Sequence, residues 1–117
     1  MGTHESFRDD TGVTLRLTGA WTVENAAILR RELLDLLASG DAASLDLAGV
    51  EAVDTTLFEL VHAACLSAAR DAKRFSRRGP LSDAARRAAM ASGFSQNGPF
   101  ADFWKDEEMH DQDDHDR

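Results

Sequence analysis

Val13, Leu15 and Leu17 alternate with Thr14, Arg16 and Thr18. A period of two over six residues predicts a strand with one buried face. Asp9-Asp10-Thr11-Gly12 before it is turn chemistry, so residues 4–8 are read as a short partner strand closing a hairpin. The period then lengthens. Ala26, Leu29, Leu33, Leu36 and Leu37 recur at helical spacing, while Arg30, Arg31 and Glu32 fall elsewhere on the wheel. A helix is predicted over residues 23–38, with Thr22 as its N-cap and Gly40 ending it.

Leu45 and Leu47 anchor a further strand over residues 43–48. Leu57, Leu60, Val61, Ala64, Cys65 and Ala68 share one side of a helix that opens after Asp54, and Glu59 and His62 point another way. Residues 73–77 (Lys-Arg-Phe-Ser-Arg) fill the slot of one more strand. With a single strongly apolar residue it is an edge strand or a poorly formed one. Pro80, then Ser82 as N-cap with Asp83 in the first turn, opens a helix ending near Ser92-Gly93. Strands and helices that alternate in this way predict an α/β fold, a small mixed sheet backed on one face by about four helices.

A chain of 117 residues has room for one domain. Its net charge of −8 is uneven: residues 101–117 carry eight acids against Lys105 and Arg117, leaving only −2 on the other hundred residues. Residues 1–100 are therefore read as the domain and 101–117 as an acidic tail unable to build a core. Phe100, Phe103 and Trp104 are placed to tether the start of that tail. Acidity of body and tail argues against nucleic acid as a partner, since phosphate binding needs positive surface. No apolar run approaches the roughly 20 residues of a membrane span, and the first ten residues lack a secretory pattern. A cytoplasmic protein without membrane insertion is expected. Gly2 to Ser6 formally satisfy a myristoylation pattern, but nothing else suggests a lipid anchor. Cys65 is the only cysteine; it fits a reducing compartment and reads as an inert buried thiol.

The sequence holds no phosphate-cradling glycine loop, no Cys or His pair at zinc spacing and no plausible Ser-His-Asp set. His110 and His115 lie in the tail among Asp111, Asp113 and Asp114, without the spacing of a calcium loop. No enzyme, cofactor or metal is expected. What remains is Asp54-Thr55-Thr56 at the mouth of a helix, where backbone N–H groups lack partners. Such a place either caps the helix or holds a phosphate. On the structural reading Asp54 is the cap, or Thr56 is, with Glu59 closing a capping box. On the functional reading a kinase phosphorylates Thr55 or Thr56, adding about −1.5 to −2 charges beside Asp54. A second feature is basic. Arg70, Lys73, Arg74, Arg77, Arg78, Arg86 and Arg87 outnumber Asp71 and Asp83 over residues 70–87. They make either a solvated face neutralised by the acidic tail or a docking patch for an acidic partner, which the tail would mask.

Leu17-Thr-Gly-Ala-Trp-Thr, the helix with Asn25-Ala26, Leu45-Asp46-Leu47-Ala48-Gly49-Val50 and Val53-Asp54-Thr55-Thr56 together resemble the STAS domain over roughly residues 12–95. That module is shared by sulphate transporters and bacterial anti-sigma factor antagonists. The resemblance implies a small mixed sheet with helices on one face. In the antagonists the hydroxyl residue directly after the aspartate is phosphorylated, and that position is Thr55 here. Leu57 stands where the family usually has glycine and Phe58 where leucine is common, so a larger side chain at 57 is expected to crowd the surface a kinase approaches. The implied function is protein binding through Asp54, Thr55, Thr56, Leu57 and Phe58. A signalling regulator ranks first, as an anti-sigma factor antagonist or as an accessory of a chemotaxis or histidine-kinase cluster. The alternative is the cytoplasmic subunit of a lipid-transporting ABC complex, bound to its permease. Oligomeric state stays open; the uncovered edge at 73–77 offers a dimer contact that its arginines oppose.

Overall fold

The computed structural model describes residues 2–93 and 101–104, with Phe103 and Trp104 the side chains described in the second segment. The acidic tail after Trp104, and the readings of Phe100, His110 and His115, lie outside the described residues. The chain runs β1 (Thr3–Asp9), β2 (Gly12–Trp21), a 3-10 turn (Val23–Asn25), α1 (Ala26–Ala38), β3 (Ala42–Val53), α2 (Thr55–Arg70), β4 (Arg74–Arg77), α3 (Asp83–Ser92) and α4 (Ala101–Trp104). The sheet order is β1-β2-β3-β4. β1 is antiparallel to β2, and β2, β3 and β4 are mutually parallel. The sheet is mixed and the hairpin forms as the turn residues imply.

The hairpin turn explains itself locally. Asp9 Oδ1 accepts from Thr11 N at 2.9 Å and from the Thr11 hydroxyl at 2.7 Å. Gly12 takes φ 132°, where an L side chain is strained, and packs tightly against Ala42. Along β2 and β3 the register pairs Val13 with Ala43 and Leu15 with Leu45, all of them buried. These residues face α1 and α2, and Leu33, Leu36, Val61, Ala64 and Cys65 are among the helix residues that join them in the core. The opposite face is polar. Arg16 pairs with Asp46 at 3.2 Å and lies over the Phe7 ring at 5.0 Å.

β3 is irregular in a way that its sequence pattern conceals. Two of its residues oppose Leu17 between the pairs Arg16–Asp46 and Thr18–Gly49, and one more is inserted between Val50 and Ala52. These bulges shift the alternation, so that Leu45 and Leu47 are buried and then Val50 is. Asp46 Oδ1 accepts the Ala48 N–H at 3.0 Å, beside the first bulge.

Two helix ends differ from the reading of the sequence. Residues 23–25 form a 3-10 turn, and α1 starts only at Ala26. The Asn25 side chain stitches this entry: Oδ1 accepts from Thr22 N and Nδ2 donates to Ala20 O, each at 2.8 Å. Gly40 adopts no left-handed conformation. The C-terminal carbonyls of α1 are instead met by cations from elsewhere, Lys73 Nζ on Leu37 O and Arg8 on Ser39 O. At the end of α2 the left-handed position belongs to Ala72, φ 57°, where glycine is usual, and Lys73 N closes the turn on Ala68 O at 2.8 Å. α3 follows the prediction closely, with Ser82 Oγ accepting from Ala85 N at 3.1 Å and Gly93 left-handed at its end.

The packed body reaches past residue 100. Phe103 stacks on Phe75 of β4 at 5.3 Å, and Trp104 meets Phe58 edge-on at 4.7 Å. Arg77 Nε donates to Phe103 O at 2.7 Å. Both aromatic side chains are buried, so the tether assigned to them exists. No helix among the described residues is long and apolar enough to cross a membrane.

Candidate docking site at the start of helix α2

β2 and β3 run parallel, so the segments leaving them emerge at the same end of the sheet. This brings Thr22-Val23 beside Asp54-Thr55. Asp54 is the N-cap of α2, with extended backbone (φ −131°, ψ −173°). Its Oδ1 accepts from Thr56 N at 2.9 Å, and its Oδ2 accepts from Val23 N at 3.0 Å. One carboxylate thereby satisfies an orphan donor at each of two neighbouring helical entries.

This geometry decides between the two caps offered by the sequence. α2 begins at Thr55, which makes Thr56 its second residue, so Thr56 and Glu59 do not form a capping box. Thr55 is exposed and Thr56 half-buried. Leu57 and Phe58 are only 1% exposed, packed in the core. Their side chains therefore do not line a partner-binding surface, and Leu57 does not crowd the approach to Thr55. Among the positions flanking this junction in sequence, Glu24, Glu51, Ala52 and Glu59 are exposed, and Val23 is apolar and 65% exposed. Sequence reading missed Val23 because it was counted within a helix. These exposed positions are mostly acidic with one apolar residue, and the Thr55 side chain is exposed beside the engaged Asp54.

The basic segment is not one patch. Lys73 and Arg77 are spent on the α1 and α4 contacts described above. Arg78 Nη1 donates to Asp9 Oδ2 at 2.6 Å and to Thr14 Oγ1 at 3.0 Å, tying β1 to the chain after β4. Arg86 pairs with Asp83 at 2.5 Å, and Arg70 lies 3.8 Å from Asp71. Arg74 and Arg87 are exposed. A run of like charges in sequence is thus dispersed into separate structural bonds.

Burial raises the Cys65 thiol to about 11 and keeps it neutral in the core. Among the described residues no three His, Cys, Asp or Glu side chains gather as a metal site requires.

Comparison with known proteins bears on the same segments. A family model described as "Mlab, STAS domain" matches residues 5–99. The crystal structure of an anti-sigma factor antagonist from Mycobacterium paratuberculosis is similar, with a TM-score of 0.68 and 20% identity, over 85% of this chain and 84% of that one. Two crystal structures of a protein named Mglu, one in its native form, are also similar, with TM-scores of 0.56 and 0.54 and identities of 24% and 22%. They match 65% and 64% of this chain, which spans only 19% and 22% of those longer proteins. At these identities the likeness is one of fold. A comparison with curated protein sequences finds no match.

Proposed function

We propose that this chain, which belongs to the STAS domain family, is a non-enzymatic signalling regulator of a bacterial cytosol that binds a protein partner through the start of α2. The observation that carries this reading is the division of labour between adjacent residues. Asp54 is engaged by two backbone donors, whereas the Thr55 hydroxyl beside it is exposed on the first residue of a 16-residue helix. A group so placed can change its charge without dismantling the fold.

The partner is an anti-sigma factor or a sensor kinase, and Thr55 is the switch. Phosphorylation would put about −1.5 to −2 charges at the helix N-terminus. The terminus favours that charge; Asp54, Glu51 and Glu24 oppose it. The balance leaves the helix formed and turns an already acidic surface strongly repulsive toward any partner that packs on Val23 and Thr55. Leu57 and Phe58 support this surface from beneath. Thr56, half-buried, is the weaker acceptor.

The test is capture of partners from the native host with the full chain, followed by mass spectrometry for both partner and phosphate. Recovery of a soluble kinase, lost with Thr55→Asp and kept with Thr55→Ala at unchanged circular dichroism, is the expected result. If Thr55→Asp retains the partner as well as wild type, the switch is not at Thr55. A second reading is the cytoplasmic STAS subunit of a lipid-transporting ABC complex. It is favoured by a family match described under the name Mlab rather than as an antagonist. Recovery of a permease with a nucleotide-binding subunit would decide for it.

A further inference from the structure

β4 is the last strand of the sheet and pairs only with β3 among the described residues. It is short, Arg74–Arg77, about 13 Å in extent. An edge of this kind offers backbone groups to another extended chain. This edge is basic: Lys73, Arg74, Arg77 and Arg78 fall within a stretch, residues 73–78, that holds no acid. Arg78 is paired with Asp9. Lys73 meets a carbonyl oxygen, Leu37 O, which holds a cation without cancelling its charge, and Arg74 is exposed. The same strand holds the start of an acidic segment. Phe103 stacks at 5.3 Å on Phe75, the residue next to Arg74, and its carbonyl accepts from Arg77 Nε at 2.7 Å. Trp104 is buried beside it. Residues 105–117 then carry seven acids against Lys105 and Arg117.

We propose that residues 105–117 lie along the basic edge of β4 and cover it, an intramolecular guard set in place by Phe103 and Trp104. Three observations choose this occupant. The buried aromatic pair delivers the segment to this strand and to no distant surface. Its length suffices: thirteen residues of extended chain reach about 43 Å, roughly three times the strand. Its charge is opposite to that of the edge. A second copy's β4 would instead bring like charges together, which opposes pairing. Each ion pair at an exposed edge is weak. Anchoring compensates, because it raises the segment's concentration at the strand to roughly the millimolar range. Contacts of millimolar affinity therefore keep it there for a large fraction of the time. Salt loosens the contact, as the Debye length falls from about 10 Å at 0.1 M to about 3 Å at 1 M. An acidic partner reaches β4 only by displacing the segment. This inference stands apart from the switch at Thr55.

A spin label on Gln112→Cys in the full chain, with the buried Cys65 left unreacted, reads the contact through amide broadening. At low salt the broadening is expected to concentrate on Lys73 to Arg77, and to fall about threefold or more in 1 M salt. Arg74→Glu, at an exposed position, should leave circular dichroism unchanged and reduce the broadening about two- to fivefold. Titration with a synthetic peptide of residues 105–117 gives a second measurement. The chain truncated after Trp104, which keeps every described residue, should bind the peptide with roughly millimolar affinity at low salt, and the full chain about tenfold more weakly. Broadening centred on another surface, or indifferent to Arg74→Glu, overturns the proposal. So does a full chain that takes the peptide as readily as the truncated one.

Discussion

Asp54 and Val23, thirty-one positions apart, share a hydrogen bond of 3.0 Å from the Val23 N–H to Oδ2, while Oδ1 of the same carboxylate caps α2. The side chain thus fixes where two helices begin relative to each other. Removing it costs both bonds. Asp54→Ala should destabilise by about 2 kcal/mol, near 1 for the cap and a similar amount for the second bond. Urea unfolding at unchanged m would report this; a loss no greater than that of a simple cap would show that the Val23 bond contributes nothing.

Ala72 ends α2 in the left-handed region with φ 57°. An L residue pays a conformational penalty there that glycine avoids. Ala72→Gly should therefore stabilise the protein by roughly 0.5–1 kcal/mol, less the entropy glycine returns to the unfolded chain. Thermal and urea midpoints should both rise. A fall in either would mean that the Ala72 side chain contributes more through contacts than its backbone costs.

Trp104 is 2% exposed and set edge-on against Phe58. Its truncation opens the core beneath α2. Trp104→Ala should cost about 3 kcal/mol, whereas truncation after residue 104, which leaves that packing intact, should cost little. Equal losses from the two would place the stabilising contacts in the tail instead. Because Trp21 and Trp104 are the only tryptophans, the change in emission on unfolding gives a direct readout.

Asp9 is held well below the ordinary carboxylate range, first by the Thr11 hydroxyl and then by Arg78. A depressed folded value contributes stability that is present above the unfolded value of about 3.9 and is lost as pH falls below it. Asp9→Asn should thus be less stable than wild type at neutral pH, and the gap should narrow in acid, below about pH 4. Asp9 is exposed, so the gap is small and screened by salt. A gap independent of pH would assign the effect to the turn geometry alone.

Much of the architecture was legible because its signals are local. The period of two at Val13–Leu17, the helical stripe at Leu57–Ala68 and the Ser82 cap each lie within a few residues of what they specify. The fates of Lys73, Arg77 and Arg78 were not, because each cation bonds a carbonyl or carboxylate brought near only by folding. The same holds for the burial of Leu57 and Phe58. Their positions on the α2 wheel mark them as core, but family analogy had assigned them to a surface. At the site itself, Asp54 and Thr55 were visible as types. Their division into one engaged group and one exposed group depends on Val23, which no spacing rule connects to them.

The extra residues in β3 sit immediately upstream of Asp54. A strand that already changes phase twice can absorb a lengthening or shortening there as a third slip, leaving its partners aligned. What such a change would alter is the aim of Asp54 and Thr55, rotated about the strand axis toward or away from Val23. The stretch from Leu47 to Ala52 thus sets the direction in which the chain leaves the sheet toward Asp54 and Thr55.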